Sequence, residues 1–203
     1  EVCRMKKIVT LICGLFLLLT QVAFAEPSIP SGKPNVAVMY VNNGKTKYDD
    51  AVDQSVLANL AKCITADKYN YIDGKPYIEK LNKIGIQDIS TAERSDIVDA
   101  MEGENIDYVV YVEIQPFVRK EKVSFFSYGL KITTQIPFKV IDVVNNKYLY
   151  NGKFVESADD STMFGGLGNK GIALKALDHA NQQMASVLTA RLPETKPVKR
   201  AAK

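Results

Sequence analysis

Residues 107–115 read DYVVYVEIQ, and the reading of this stretch decides the fold. Apolar side chains occupy both alternating sets from Tyr108 to Val112, so a strand built from them is buried on both faces. Pro116, which has no amide hydrogen to give a ladder, stops it. Such a strand belongs at the centre of a sheet. Upstream, Val36 to Val41 (VAVMYV) is a second continuous apolar run of strand length, followed by the turn cluster NNGK.

Between these two runs the pattern changes to helical spacing. Val52, Val56, Leu60 and Cys63 recur at three and four residues, with Asp49 or Asp50 placed to cap the helix. Tyr69 to Asp73 alternates as a short strand. A helix follows from Pro76 in its first turn to Gly85 at its end, with Tyr77, Ile78, Leu81 and Ile84 on one stripe. Ser90 and Glu93 have the spacing of a capping box for a third helix through Met101, ended near Gly103, with Ile97, Val98 and Met101 inward.

Downstream, Val123 to Val144 alternates cleanly. Phe126, Tyr128, Leu130, Ile132, Ile136, Phe138 and Val140 define a buried face, and Ser127, Lys131, Thr133, Gln135 and Lys139 a wet one. Asn145 and Asn146 suit a two-residue hairpin turn, after which KYLYNGKFVE pairs back antiparallel. A loop, DDSTMFGGLGNKG, leads to a last helix from about Ile172 to Arg191, with Ala173, Leu177, Ala180, Met184 and Val187 on one side. The fold class that follows is α/β: a single-domain sandwich with a mixed, largely antiparallel sheet. Amphipathic helices pack on one or both of its faces, and the order is β-α-β-α-α-β-β-β-α.

Met5 to Ala25 (MKKIVTLICGLFLLLTQVAFA) has the form of a secretory signal peptide: Lys6 and Lys7 begin it, Ile8 to Leu19 are the apolar run, and Ala23 and Ala25 suit cleavage after Ala25. Residues 1–25 are therefore read as four upstream residues plus a cleaved signal peptide, 26–34 as a flexible leader, 35–192 as the α/β domain and 193–203 as a disordered basic tail. The apolar run falls short of the roughly 20 residues that cross a bilayer, so no transmembrane anchor is expected in the mature chain. Cys13 lacks the small residue that a lipidation signal places directly before its cysteine. Sec-type export to a bacterial periplasm or beyond is the implied address.

From Glu26 onward, 23 basic residues face 22 acidic ones, which gives no electrostatic case for nucleic acid. Cys63 alone remains after processing, so the chain forms no internal disulfide. With one mature cysteine and one histidine, His179 on the polar side of its helix, no zinc set or cysteine nucleophile is expected, and no serine sits in a GxSxG elbow. No cofactor is called for and no catalytic residue is assigned. Gly166, Gly168 and Gly171 satisfy GxGxxG, but late in the chain and away from a first strand; a ligand loop there would use Gly165, Gly166, Gly168, Asn169 and Lys170. Arg119, Lys120 and Lys122 beside Phe117, Phe125 and Phe126 form a basic-aromatic cluster at a strand-to-strand turn, a composition suited to a partner surface.

The opening strand PNVAVMYV, the later strand from Ile106 to Ile114 and the alanine- and leucine-rich helix GIALKALDHANQQMASVL are similar to those of exported bacterial envelope proteins of the curli-secretion-channel (CsgG) and TolB amino-terminal type. The resemblance spans most of residues 35–192. It implies the fold given above and a place in the envelope as a pore subunit, a periplasmic partner or an activator of cell-wall synthases; it supplies no catalytic residue. The chain lacks a lipidated cysteine, and Lys131 and Lys139 on its alternating stretch do not suit a membrane-spanning hairpin. The expected role is a non-enzymatic periplasmic protein-binding or assembly module. It would use an exposed sheet edge or the surface of Arg119, Lys120, Lys122, Phe125 and Phe126 on another envelope protein. The alternatives are self-association as an oligomeric secretion pore, and a small-ligand protein or enzyme with a pocket near Gly165 to Lys170.

Overall fold

The computed structural model describes residues 32–163 and 168–199. The signal peptide with its cleavage point at Ala25 and most of the leader lie outside the described residues. Ten elements follow one another: β1 Asn35–Asn42, α1 Asp49–Cys63, β2 Asn70–Asp73, α2 Lys75–Lys83, α3 Arg94–Asp99, β3 Tyr108–Ile114, β4 Val118–Val123, β5 Tyr128–Asp142, β6 Lys147–Thr162 and α4 Asn169–Arg191. They form a mixed α/β single domain around one six-stranded sheet, ordered β2-β1-β3-β5-β4 with β6 on the other edge of β5. The first three strands are parallel and the rest antiparallel.

Alternation along β1 and β3 divides the core into two layers. Val36, Val38, Tyr108, Val110 and Val112 face α1 and α4, while Ala37, Met39, Val109 and Tyr111 face α2, α3 and the loop between them. All seven residues of β3 are buried, as its two-sided apolar pattern requires. Helices therefore cover both faces. Where β2 turns into α2, Gly74 presses on β1: a Cβ there would stand 2.4 Å from the Val38 carbonyl oxygen, so only glycine closes this turn.

The structure departs from the sequence reading in local detail. Among the described residues there is one strand more than expected: the segment read as a strand-to-strand turn is β4, and β6 continues through Asp159 and Asp160 to Thr162 instead of ending near Glu156. The capping box at α3 is made by Glu93 and Asp96, because Ser90 is taken by the carboxylate of Asp88, to which both its amide (3.0 Å) and its hydroxyl (2.6 Å) donate. Tyr48, not Asp49 or Asp50, occupies the cap position of α1; Asp49 instead accepts from the Thr46 amide and hydroxyl at 2.9 and 2.7 Å. The β5–β6 connection spans four residues with Asn146 left-handed at φ +46°. Phe126 is 77% exposed rather than inward, and Lys139, expected on a wet face, is only 5% exposed.

Of the segment 193–203, expected to be a disordered basic tail, residues 200–203 lie outside the described residues, and Glu194 and Thr195 make contacts with the domain. The Tyr108 hydroxyl donates to the Thr195 carbonyl at 3.0 Å, and Lys68 pairs with Glu194 at 2.5 Å.

Candidate functional site

The antiparallel half of the sheet is longer than the sandwich it grows from. β5 has 15 residues, a span of about 50 Å at strand rise, and only its second half pairs with β3. Its first half pairs with β4 on the same edge, so β4 continues the line of β3. The two are separated at Pro116. From Gln115, whose amide donates to the Gln135 carbonyl, to Val118 opposite Thr133, one side advances three residues and the other two. This is a β-bulge, placed where proline could not have donated to the ladder. Phe117 within it packs on Tyr48, ring centroids 6.1 Å apart.

β4, the first half of β5 and the second half of β6 thus make a three-stranded arm. One face of it is covered: Leu130, Ile132 and Ala158 pack on Ile172, Ala173 and Ala176 of α4. Further along, the same helix buries Leu177, Ala180, Met184 and Leu188 in the main core, so it braces the arm against the domain. Thr133 and Ser157 add a 2.8 Å hydroxyl contact across β5 and β6.

The arm ends in the turn Ser124 to Ser127. The Ser124 amide donates to the Ser127 carbonyl at 2.9 Å, and the Ser127 amide donates back to the Ser124 hydroxyl at 3.1 Å. These bonds satisfy the turn from its serines and leave Phe125 and Phe126 with no part in closing it. Phe125 is 95% and Phe126 77% exposed, edge to face at 5.1 Å, and Val123 and Met163 beside them are 76% and 74% exposed. Tip positions ordinarily carry glycine, asparagine or aspartate, so an aromatic pair here costs solvation and serves nothing in the fold.

Behind the tip every residue of β4 is exposed, Arg119, Lys120 and Lys122 included. Arg119 is held: its guanidinium donates to the Tyr128 hydroxyl at 3.0 Å and pairs with Glu121 at 2.5 Å. β4 ends the path of strands and pairs with β5 alone, so its other edge presents unpaired amide and carbonyl groups. On β6, Asp159 and Asp160 stand opposite Lys131 and Leu130, which gives the arm charges of both signs.

The structure thus brings Arg119, Lys120, Lys122, Phe125 and Phe126 together on one arm, and adds Val123 and Met163. Met163 could not be placed by a reading that ended β6 near Glu156. Of the glycine-rich loop, Gly165 and Gly166 lie outside the described residues; Gly168 occupies the cap position of α4, and Asn169 and Lys170 are its first residues. His179 is exposed, and burial raises the thiol pKa of half-buried Cys63. Among the described residues no group of three or more histidine, cysteine or acidic side chains is arranged to hold a metal, and no helix is long and apolar enough to cross a membrane.

Neither a family model nor a curated protein matches the chain. Among solved structures it is similar to a lipoprotein from Neisseria meningitidis, at 15% identity over 75% of this chain and 99% of that one, TM-score 0.40. It is similar to a hypothetical protein from Chlamydia trachomatis, at 11% identity over 78% and 99%, TM-score 0.47. TolB from Acinetobacter baumannii is similar at 13% identity over 83% of this chain and 30% of that one, TM-score 0.34.

Proposed function

We propose that this is an exported, non-enzymatic envelope protein that docks another envelope protein on the tip and free edge of the β4–β5–β6 arm. The observation that carries the reading is the exposed aromatic pair Phe125 and Phe126, closed into a turn by neighbouring serines and held out on an arm that α4 braces. Two features favour a protein over a bilayer surface as the occupant. The unpaired edge of β4 offers directional hydrogen bonds that an added strand can use and lipid cannot. The acids Asp159 and Asp160 beside the tip offset the basic residues that an anionic membrane would attract. The signal-peptide form of Met5 to Ala25 supports the envelope as the place of work, and a partner role is among those that the CsgG and TolB-type resemblance implies.

A photoreactive residue at position 126, introduced into the tagged chain in intact cells, is expected to capture one envelope protein reproducibly. The same residue placed at exposed His179, on α4 and outside the tip and the β4 edge, is expected to capture none. Adducts with a second copy alone would replace this reading by self-assembly, and equal capture from both positions would contradict it.

A further inference from the structure

A cavity of about 510 Å³ opens at the carboxyl ends of β1 and β3, walled by α2 and the loop before α3. Its volume is in the range of small-molecule sites, and strand carboxyl ends are where open α/β sheets bind ligands. Glu113 lines it, from a side chain in a residue only 5% exposed. The Tyr111 hydroxyl donates to one carboxylate oxygen of Glu113, and the Asn43 amide group donates to the other at 3.0 Å. An ionised carboxylate has about four acceptor positions, so these two bonds leave capacity on both oxygens.

No described lysine or arginine forms an ion pair with Glu113. Lys139, the buried cation on the same face of the sheet, is engaged elsewhere. Its ammonium donates to the carbonyls of Ile89, Ser90 and Ala92 at 3.3, 2.9 and 2.8 Å and lies 5.8 Å from the centre of the Tyr111 ring. Glu113 acts on that ammonium through space without contacting it, and its carboxylate, with acceptor positions to spare, borders a space large enough to admit a cation that does contact it. Asp88 adds a second negative charge to the lining and Lys45 the opposing positive one, while Val41, Ile78 and Ile89 supply apolar wall. The Tyr111 pKa is raised first by burial, then by its bond to Glu113 and by the charges of Glu113 and Asp88.

We infer that this cavity binds a small organic amine, its ammonium on Glu113 and its carbon chain along Val41, Ile78 and Ile89. The site is distant in the fold from the tip of the arm and does not depend on the docking role proposed for it. The amine completes the hydrogen bonding of a carboxylate that the fold has already oriented, so little ordering is asked of the protein on binding.

Titration calorimetry of the full chain with 1,4-diaminobutane and with its uncharged counterpart 1,4-butanediol tests the inference. The diamine is expected to bind saturably and the diol at least about tenfold more weakly, the difference that a charged hydrogen bond makes. Glu113→Gln should lose at least about tenfold in diamine affinity. Two variants keep the test sound if that one folds poorly. Asp88→Asn preserves the turn onto Ser90 and should weaken binding. Lys45→Asn suits the left-handed backbone at this position, φ +51°, and by removing the opposing charge should strengthen it. Equal binding of diol and diamine, no binding of the diamine, or a loss of affinity in Lys45→Asn would overturn the inference.

Discussion

Phe138→Ala is expected to cost the fold about 3 to 5 kcal/mol, read as a fall in denaturant midpoint at unchanged slope. Phe138 is wholly buried on β5 where the parallel and antiparallel halves of the sheet meet, opposite Val112 on one side and Gly152 on the other. Its ring lies 5.7 Å from that of Tyr150 and 5.5 Å from that of Phe154, and Tyr150 and Phe154 stack at 5.8 Å. Truncation leaves a cavity that two rings on one strand cannot both collapse into, and it removes two aromatic contacts worth about 0.5 to 1.5 kcal/mol each beyond their area. A loss under about 1 kcal/mol would mean that this cluster does not join the two halves of the sheet.

Lys139→Met is expected to destabilise by about 2 to 4 kcal/mol, although it removes a buried charge. Its ammonium is the donor for three carbonyls of the segment between α2 and α3, and those of Ile89 and Ala92 belong to buried residues. Orphaning each buried carbonyl costs about 1 to 3 kcal/mol, and relief of the ammonium's desolvation returns part of that. Burial lowers the lysine pKa, while Asp88, Glu113 and Asp96 act in the opposite direction. Because this one side chain ties β5 to the loop, hydrogen exchange should quicken over residues 88–101 before the sheet is affected. A variant as stable as the parent with unchanged exchange would show that the loop is held by packing of Ile89 and Ile97 alone.

Lys139 also marks where the sequence stopped being informative. Its place in the alternating pattern of β5 gave the correct face, but that face is wet beside β4 and covered beside β3, and the boundary is set by where α2 and α3 pack. The two-sided burial of β3 and the helices around it were legible because the apolar period directly reports which faces are covered. β4 was not, since VRKEKV carries charges on both faces and pairs through its backbone, which no side-chain period records. The basic and aromatic residues of the arm could be named from composition alone. Their exposure follows from a turn closed by Ser124 and Ser127, a hydrogen-bonding choice invisible in residue spacing. Glu113 left a trace in the sequence as the one charge in YVVYVEI, whereas its cavity needs α2 and the preceding loop of α3 to be in place.

The most direct test of the docking role is the affinity of the captured envelope protein for the chain carrying Phe125→Ser and Phe126→Ser together. These side chains touch little besides each other, so the thermal midpoint should stay within about 2 °C of the parent. Central aromatic residues of an interface are worth about 2 kcal/mol or more when removed, so binding should weaken at least about thirtyfold. Unchanged affinity in this stable double variant would contradict the account and remove the arm tip as the surface on which this protein works.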